Sequence, residues 1–158
     1  MSFELSKEII DYIDNSVDEA KELLKQLCLI PAPSNHEEKR AEFCKNWLDG
    51  IGAKGVYIDS ALNVVYPVNC DGRDDIVVFM AHTDVVFPDT TPLPLVKEGD
   101  KWHCPGIGDD TACLVLMMMV AKYVFANNLK SDKGILFIAN SCEEGLGNLK
   151  GSRKIMQD

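Results

Sequence analysis

Three short stretches of the chain hold residue types that could do chemistry together. They are Met80-Ala81-His82-Thr83-Asp84-Val85, Pro105-Gly106-Ile107-Gly108-Asp109-Asp110 and Ser141-Cys142-Glu143-Glu144-Gly145. A neutral His82 imidazole can bind a metal ion, with Asp84 orienting the ring or tuning a neighbouring ligand. Taken alone, the pair reads equally well as a satisfied histidine beside a turn acid. A carboxylate of the Asp109-Asp110 pair could bridge two ions through its two oxygens, and the glycines before it would let the backbone pass close to them. Alone, that stretch is also a turn with an Asp capping a helix. Glu143 and Glu144 repel each other and lose solvation if buried, unless they lie in a solvated loop. A bound cation would remove the conflict. Glu144 could ligate it, and Glu143 could take a proton from the activated water.

Each stretch needs an element to position it. The run 76–80 is continuously apolar, which predicts a strand buried on both faces, with the His82 stretch straight after it. Residues 135–139 predict a second buried strand ending just before Ser141. Residues 111–127, through Leu114, Val115, Leu116, Met117, Met118 and Met119, are apolar nearly all round and predict a buried helix opening just after Asp110. Its methionines read as core filler. Earlier, Ile9, Ile10, Ile13, Val17, Ala20, Leu24 and Leu27 recur at helical spacing and predict an amphipathic helix over 6–29, stopped by Pro31 and Pro33. Ser34 with Glu37 three residues on reads as a capping box opening a second helix. That helix carries Ala41, Cys44, Leu48 and Ile51 on one face and ends near Gly50 and Gly52. Short strands are expected at 56–58 and 63–66, a hairpin at 95–97 with 101–103, and a last helix at 149–156. Strands alternating with helices predict an α/β fold: a three-layer sandwich whose mixed, mostly parallel central sheet is flanked by helices. In such sheets ligands gather at the carboxyl ends of strands, where these stretches fall.

Composition narrows the function classes. The chain has 158 residues, 46% hydrophobic and 26% charged, which suits one globular domain. With 25 acidic against 16 basic residues, the net charge of -9 argues against a nucleic-acid partner. The six cysteines form no Cys-x-x-Cys pair and several sit in apolar runs, as expected of reduced thiols in a cytoplasmic protein. The start is too acidic and polar for a signal peptide. The longest apolar stretch, 112–121, is too short to span a membrane.

Together, and in this order, the motifs His82-Thr83-Asp84-Val85-Val86, Gly106-Ile107-Gly108-Asp109-Asp110 and Glu143-Glu144-Gly145-Leu146-Gly147 resemble the M20 metallopeptidases. That family includes aminoacylase-like, acetylornithine-deacetylase-like and tripeptide-aminopeptidase-like enzymes. Leu29-Ile30-Pro31-Ala32-Pro33-Ser34, with Glu37 and Glu38, also looks like the family's N-terminal region. The resemblance implies His82 and Glu144 as ligands of separate metals, Asp109 as the ligand bridging both, Glu143 as general base and Asp84 as the catalytic aspartate beside His82. It implies two divalent ions, zinc with cobalt or manganese as alternatives. Peptide or N-acyl amide hydrolysis would follow, as in aminopeptidases, dipeptidases or deacylases. Asp110 has no ligand role in the pattern, but the family often has a cis peptide after its bridging acid.

Two departures bear on what these residues do alone. Thr111 stands where many relatives carry lysine, which clouds the subfamily. The resemblance also implies a further acidic ligand, a last metal-binding histidine and a smaller lid and dimerisation domain, and none of these fits after Glu144. Residues 1–158 are therefore expected to be the N-terminal portion of one catalytic domain, inactive alone, short of metal ligands and left with an exposed sheet edge that favours a homodimer. His36 and His103 read as structural or surface residues. Two competing readings are a non-catalytic M20-like binding or dimerisation module and a cysteine hydrolase using Cys142 with His82.

Overall fold

The structure, a computed structural model, describes residues 4–157. Helix α1 (Lys7–Cys28) opens with Ser6, whose Oγ accepts the Ile9 N–H. It buries Leu23 and Leu27, while Ile10, Ile13 and Val17 stay exposed, so the inward face runs through Tyr12 and Ser16 to Leu23 and Leu27 rather than through those three apolar residues. Helix α2 (Glu38–Gly50) buries Ala41, Cys44 and Leu48 as its spacing predicts. The expected capping box does not form: the Ser34 hydroxyl donates to Asp84 Oδ2 and the Glu37 carboxylate serves other N–H groups. Tertiary partners for those two side chains override the local cap.

Four strands make the main sheet: β1 (Tyr57–Ile58), β2 (Val64–Val68), β3 (Ile76–His82) and β6 (Gly134–Asn140), in the order β1-β2-β6-β3. The hairpin β4 (Val96–Glu98) and β5 (Lys101–His103) stands apart. Strand β6 pairs antiparallel with β2 and parallel with β3, so the sheet is mixed, as expected; because β1 and β2 are also antiparallel, it is not mostly parallel among the described residues. The long helix α3 (Ala112–Ala126) and the short α4 (Lys150–Ile155) complete the chain.

The core joins Leu23 and Leu27 of α1, Ala41, Cys44 and Leu48 of α2, and Leu114, Val115 and Met118 of α3 to one face of the sheet, through Val64, Tyr66, Ala81, Phe137 and Ala139. Phe137 stacks between Tyr66 and Phe79 across that face. Two expectations about burial are corrected here. Strand β3 is not buried on both faces: among the described residues it is an edge strand, and Ile76, Val78, Phe79 and Met80 are exposed. Helix α3 is not buried all round either, since Leu116 is 62% exposed and Val120 49%. In both cases the apolar pattern calls for cover that these residues do not supply. Among the described residues, no helix is long and apolar enough to cross a membrane.

Candidate metal centre

The parallel pairing of β3 with β6 sets His82 directly opposite Asn140, so two of the three stretches leave the sheet side by side at its carboxyl edge. The Thr83 N–H donates to Asn140 O at 2.8 Å and its hydroxyl to the same carbonyl at 3.1 Å. On the other flank, Val85 N–H donates to Ala32 O at 2.9 Å, so the segment after α1 runs beside the His82–Asp84 turn.

The second stretch is brought in by the turn Ile107–Thr111 that leads into α3. Gly106 opens it with φ +73, and a Cβ at that position would run into the Val85 side chain. Only glycine satisfies both conditions. The peptide bond between Asp109 and Asp110 is cis, as the resemblance implies. Asp110 Oδ2 accepts the His82 N–H at 3.1 Å, which ties this turn to the end of β3.

His82 is buried, and its two ring nitrogens face different surroundings. Nδ1–H donates to the Asp84 carbonyl at 3.0 Å, with Asp84 Oδ1 at 3.5 Å. Nε2 faces Asp109 Oδ1 at 3.1 Å and Glu143 Oε2 at 3.9 Å. The donor bond at Nδ1 leaves Nε2 as the nitrogen able to ligate. Burial works against a charged ring, but Asp84, Asp109 and Asp110 outweigh it and raise the His82 pKa to about 9.

Asp84 is fully buried. Its carboxylate accepts the Ser34 hydroxyl at 2.7 Å, Glu143 N–H at 2.9 Å and Glu144 N–H at 3.1 Å. Burial alone would raise its pKa; His82, Ser34 and the two peptide N–H groups together hold it down to about 2. Glu144 is pushed above the usual carboxylate range, first by burial and then by Asp109 and Glu143, with His82 opposing.

Ligand atoms of His82, Glu143 and Glu144 lie within 4.8 Å of one another. Asp109 joins them through His82 Nε2, although its side chain is 83% exposed. The tightest group thus contains Glu143, the expected base, together with His82 and Glu144 of the expected ligand set. One imidazole faced by carboxylates that repel one another is a donor set that a divalent cation fits. Beside Glu144 lies a cleft of about 440 Å³ walled by Pro33, Val85, Val86, Pro88 and Leu146, with His36 at its side. His103 lies away from the site, 3.8 Å from Glu98.

The sequence model of peptidase family M20/M25/M40 matches residues 78–158, over half of the chain. The chain belongs to peptidase family M20/M25/M40. Solved structures agree on the fold of this M20 chain. Aminopeptidase PepT from Bacillus cereus superposes with a TM-score of 0.65 at 19% identity, over 86% of this chain and 39% of its own. Human carnosine dipeptidase 1 gives 0.71 at 20%, over 88% and 35%. YXEP from Bacillus subtilis, a dinuclear metal binding peptidase, gives 0.59 at 15%, over 89% and 38%. The M20 chain therefore spans well under half the length of these structures. Among curated proteins, none matches the sequence.

Two buried charged residues of this site were not assigned to it from the sequence: Arg40 was not singled out, and Glu37 was read as a capping-box residue. Arg40 is 2% exposed; its Nε donates to Ile30 O at 2.8 Å and its Nη1 to Thr83 O at 2.9 Å and Thr111 Oγ1 at 3.2 Å. It thus binds the His82–Asp84 turn to the start of α3. Glu37 is fully buried beneath Cys142. Their positions relative to Ala41 and Cys44 are the available signal, because helical spacing puts both charges on the apolar face of α2. Cys142 itself is unsuited to nucleophilic attack. It is fully buried, and burial with Glu37 pushes its thiol up to about 11.

Proposed function

We propose that the chain carries the first half of a two-metal hydrolytic site that cleaves a peptide or N-acyl amide bond, with Glu143 as general base. The observation that carries this reading is the convergence of ligand atoms of His82, Glu143 and Glu144 within 4.8 Å at the carboxyl edge of β3 and β6, with Glu143 and Asp109 both facing His82 Nε2. His82, Asp109 and Glu144 would hold the ions, zinc or alternatively cobalt or manganese. Such ions supply Lewis-acid activation of water and of the scissile carbonyl.

The remaining steps belong to this chain's own residues. The Asp84 carbonyl fixes the His82 ring, and the Asp84 carboxylate fixes the backbone of Glu143 and Glu144. Glu143 Oε2 accepts the proton of the attacking water and returns it to the departing amine nitrogen. The cleft beside Glu144 takes the acyl or side-chain portion of a peptide or N-acyl amino acid in its apolar walls. Residues 1–158 form the N-terminal portion of one catalytic domain, and the rest of the ligand set and a lid and dimerisation domain lie beyond them. Alone they turn over little or no substrate, and the whole enzyme works in the cytoplasm as a homodimer.

Zinc titration and elemental analysis test the site on this chain and on the complete enzyme. Uptake of zinc by both, weaker in the chain, supports the reading, as does loss of binding in His82→Ala. In the complete enzyme, Glu143→Ala should keep its metal and lose turnover by about 10²–10⁴-fold. A complete enzyme that takes up no zinc, cobalt or manganese would leave a non-catalytic binding module as the better description.

A further inference from the structure

The residues around His82 Nε2 do not explain how two adjacent carboxylates come to face one point. In a strand, successive side chains leave on opposite faces. If β6 simply continued, Glu143 and Glu144 would diverge. The backbone turns at Cys142, which has φ 52. Both carboxylates then reach the neighbourhood of His82. A non-glycine residue in that conformation needs surroundings that hold it there.

Those surroundings are a row of buried side-chain acceptors. The consecutive peptide N–H groups of residues 141–144 all donate to side-chain oxygens. Ser141 N–H donates to Asn63 Oδ1 at 3.0 Å and Cys142 N–H to Glu37 Oε1 at 2.9 Å. Glu143 N–H and Glu144 N–H donate to the two oxygens of Asp84 at 2.9 and 3.1 Å. Asn63, Glu37 and Asp84 are each 0% exposed. From the other side, Gly147 closes on the turn, and a Cβ there would lie 2.5 Å from Cys142 Cα.

Glu37 stands out among the three acceptors. Its Oε1 also accepts Asn35 N–H at 3.0 Å and the Cys142 thiol at 3.2 Å, while its Oε2 is buried without a hydrogen-bond partner among the described residues. A buried carboxyl group with an unpartnered oxygen is a poor device for stability alone. We propose that Glu37 is a positioning residue of the metal site: it holds the Cys142 turn that aims Glu143 and Glu144 at the same point as His82. This rests on the metal-site reading above.

The test is zinc affinity, measured by titration on this chain together with its unfolding temperature. Glu37→Ala should weaken zinc binding by about 10- to 100-fold. Glu37→Gln keeps an amide oxygen for the Cys142 N–H and should recover most of that loss. Leu27→Ala, a fully buried core change in α1, should lower the unfolding temperature comparably and leave zinc affinity in place. Should Glu37→Ala fail to fold, Glu37→Asp serves instead: its shorter side chain withdraws from Cys142 N–H and should bind zinc more weakly than Glu37→Gln. Wild-type affinity in Glu37→Ala, an equal loss in Leu27→Ala, or tighter binding by Glu37→Asp than by Glu37→Gln would overturn the inference and leave the metal site standing. Where the chain alone binds too weakly to titrate, the same variants are read in the complete enzyme; absence of zinc binding by the complete enzyme would remove the metal-site reading and this inference with it.

Discussion

His82 is held from one side and offered on the other. Its Nδ1–H is committed to the Asp84 carbonyl, and its Nε2 faces acids. The Asp84 carboxylate meanwhile serves two peptide N–H groups at once, one per oxygen. Asp84→Asn can accept only one of them and turns an amide N–H₂ toward the other. Urea unfolding should show a loss of about 1–3 kcal/mol from the buried donor left unpaired, and zinc titration a weaker affinity. The cysteines give a second prediction at this scale. Cys142, Cys44 and Cys28 are buried with thiols pushed up to about 11, 12 and 12, chiefly by burial, whereas Cys113 is exposed. Iodoacetamide mass mapping of the folded chain should find Cys113 labelled first and Cys142 protected. Fast labelling of Cys142 would revive a thiol mechanism.

Among the elements, the parallel pairing of β3 and β6 does most to build the site, because it lines up the ends from which His82 and Glu143 emerge. Helix α3 delivers Asp109 through the Gly106 turn, and α2 contributes inward-facing Arg40, which ties both turns together. Gly106→Ala should destabilise the chain by about 1–3 kcal/mol, the usual range for a side chain forced into left-handed backbone. Part of that loss comes from the Val85 side chain. Thermal unfolding of Gly106→Ala with Val85→Ala should therefore fall short of the sum of the single changes. Additive losses would show that the backbone conformation alone matters. Arg40 was not singled out from the sequence and Glu37 was read only as a cap, because charged residues near a helix start ordinarily face solvent. Their burial depends on carbonyl and N–H partners from segments distant in sequence.

At the scale of the whole molecule, two properties follow from where apolar surface and buried thiols lie. Strand β3 presents Val78, Phe79 and Met80 on an unpaired edge, a template for association. Sedimentation velocity should show self-association that Val78→Lys reduces; unchanged association would place the contact elsewhere. The folded chain also binds the protons of Cys28, Cys44 and Cys142 more tightly than an unfolded chain, where the thiol value is 9.0. The stabilisation is complete below about pH 9 and is lost as pH rises towards 12. A denaturant midpoint that stays flat across that interval would contradict the burial of these thiols. The sequence by itself determined the order of elements, the α/β class and the three stretches where chemistry could sit, because periodicity, turn residues and adjacent acids are local signals. It did not determine which strands are neighbours, which faces stay uncovered, or that the side chains of Glu37, Asn63 and Asp84 would hold the backbone of residues 141–144. Those depend on contacts between residues 50 to 105 positions apart, and only the packed fold brings such residues within hydrogen-bond distance.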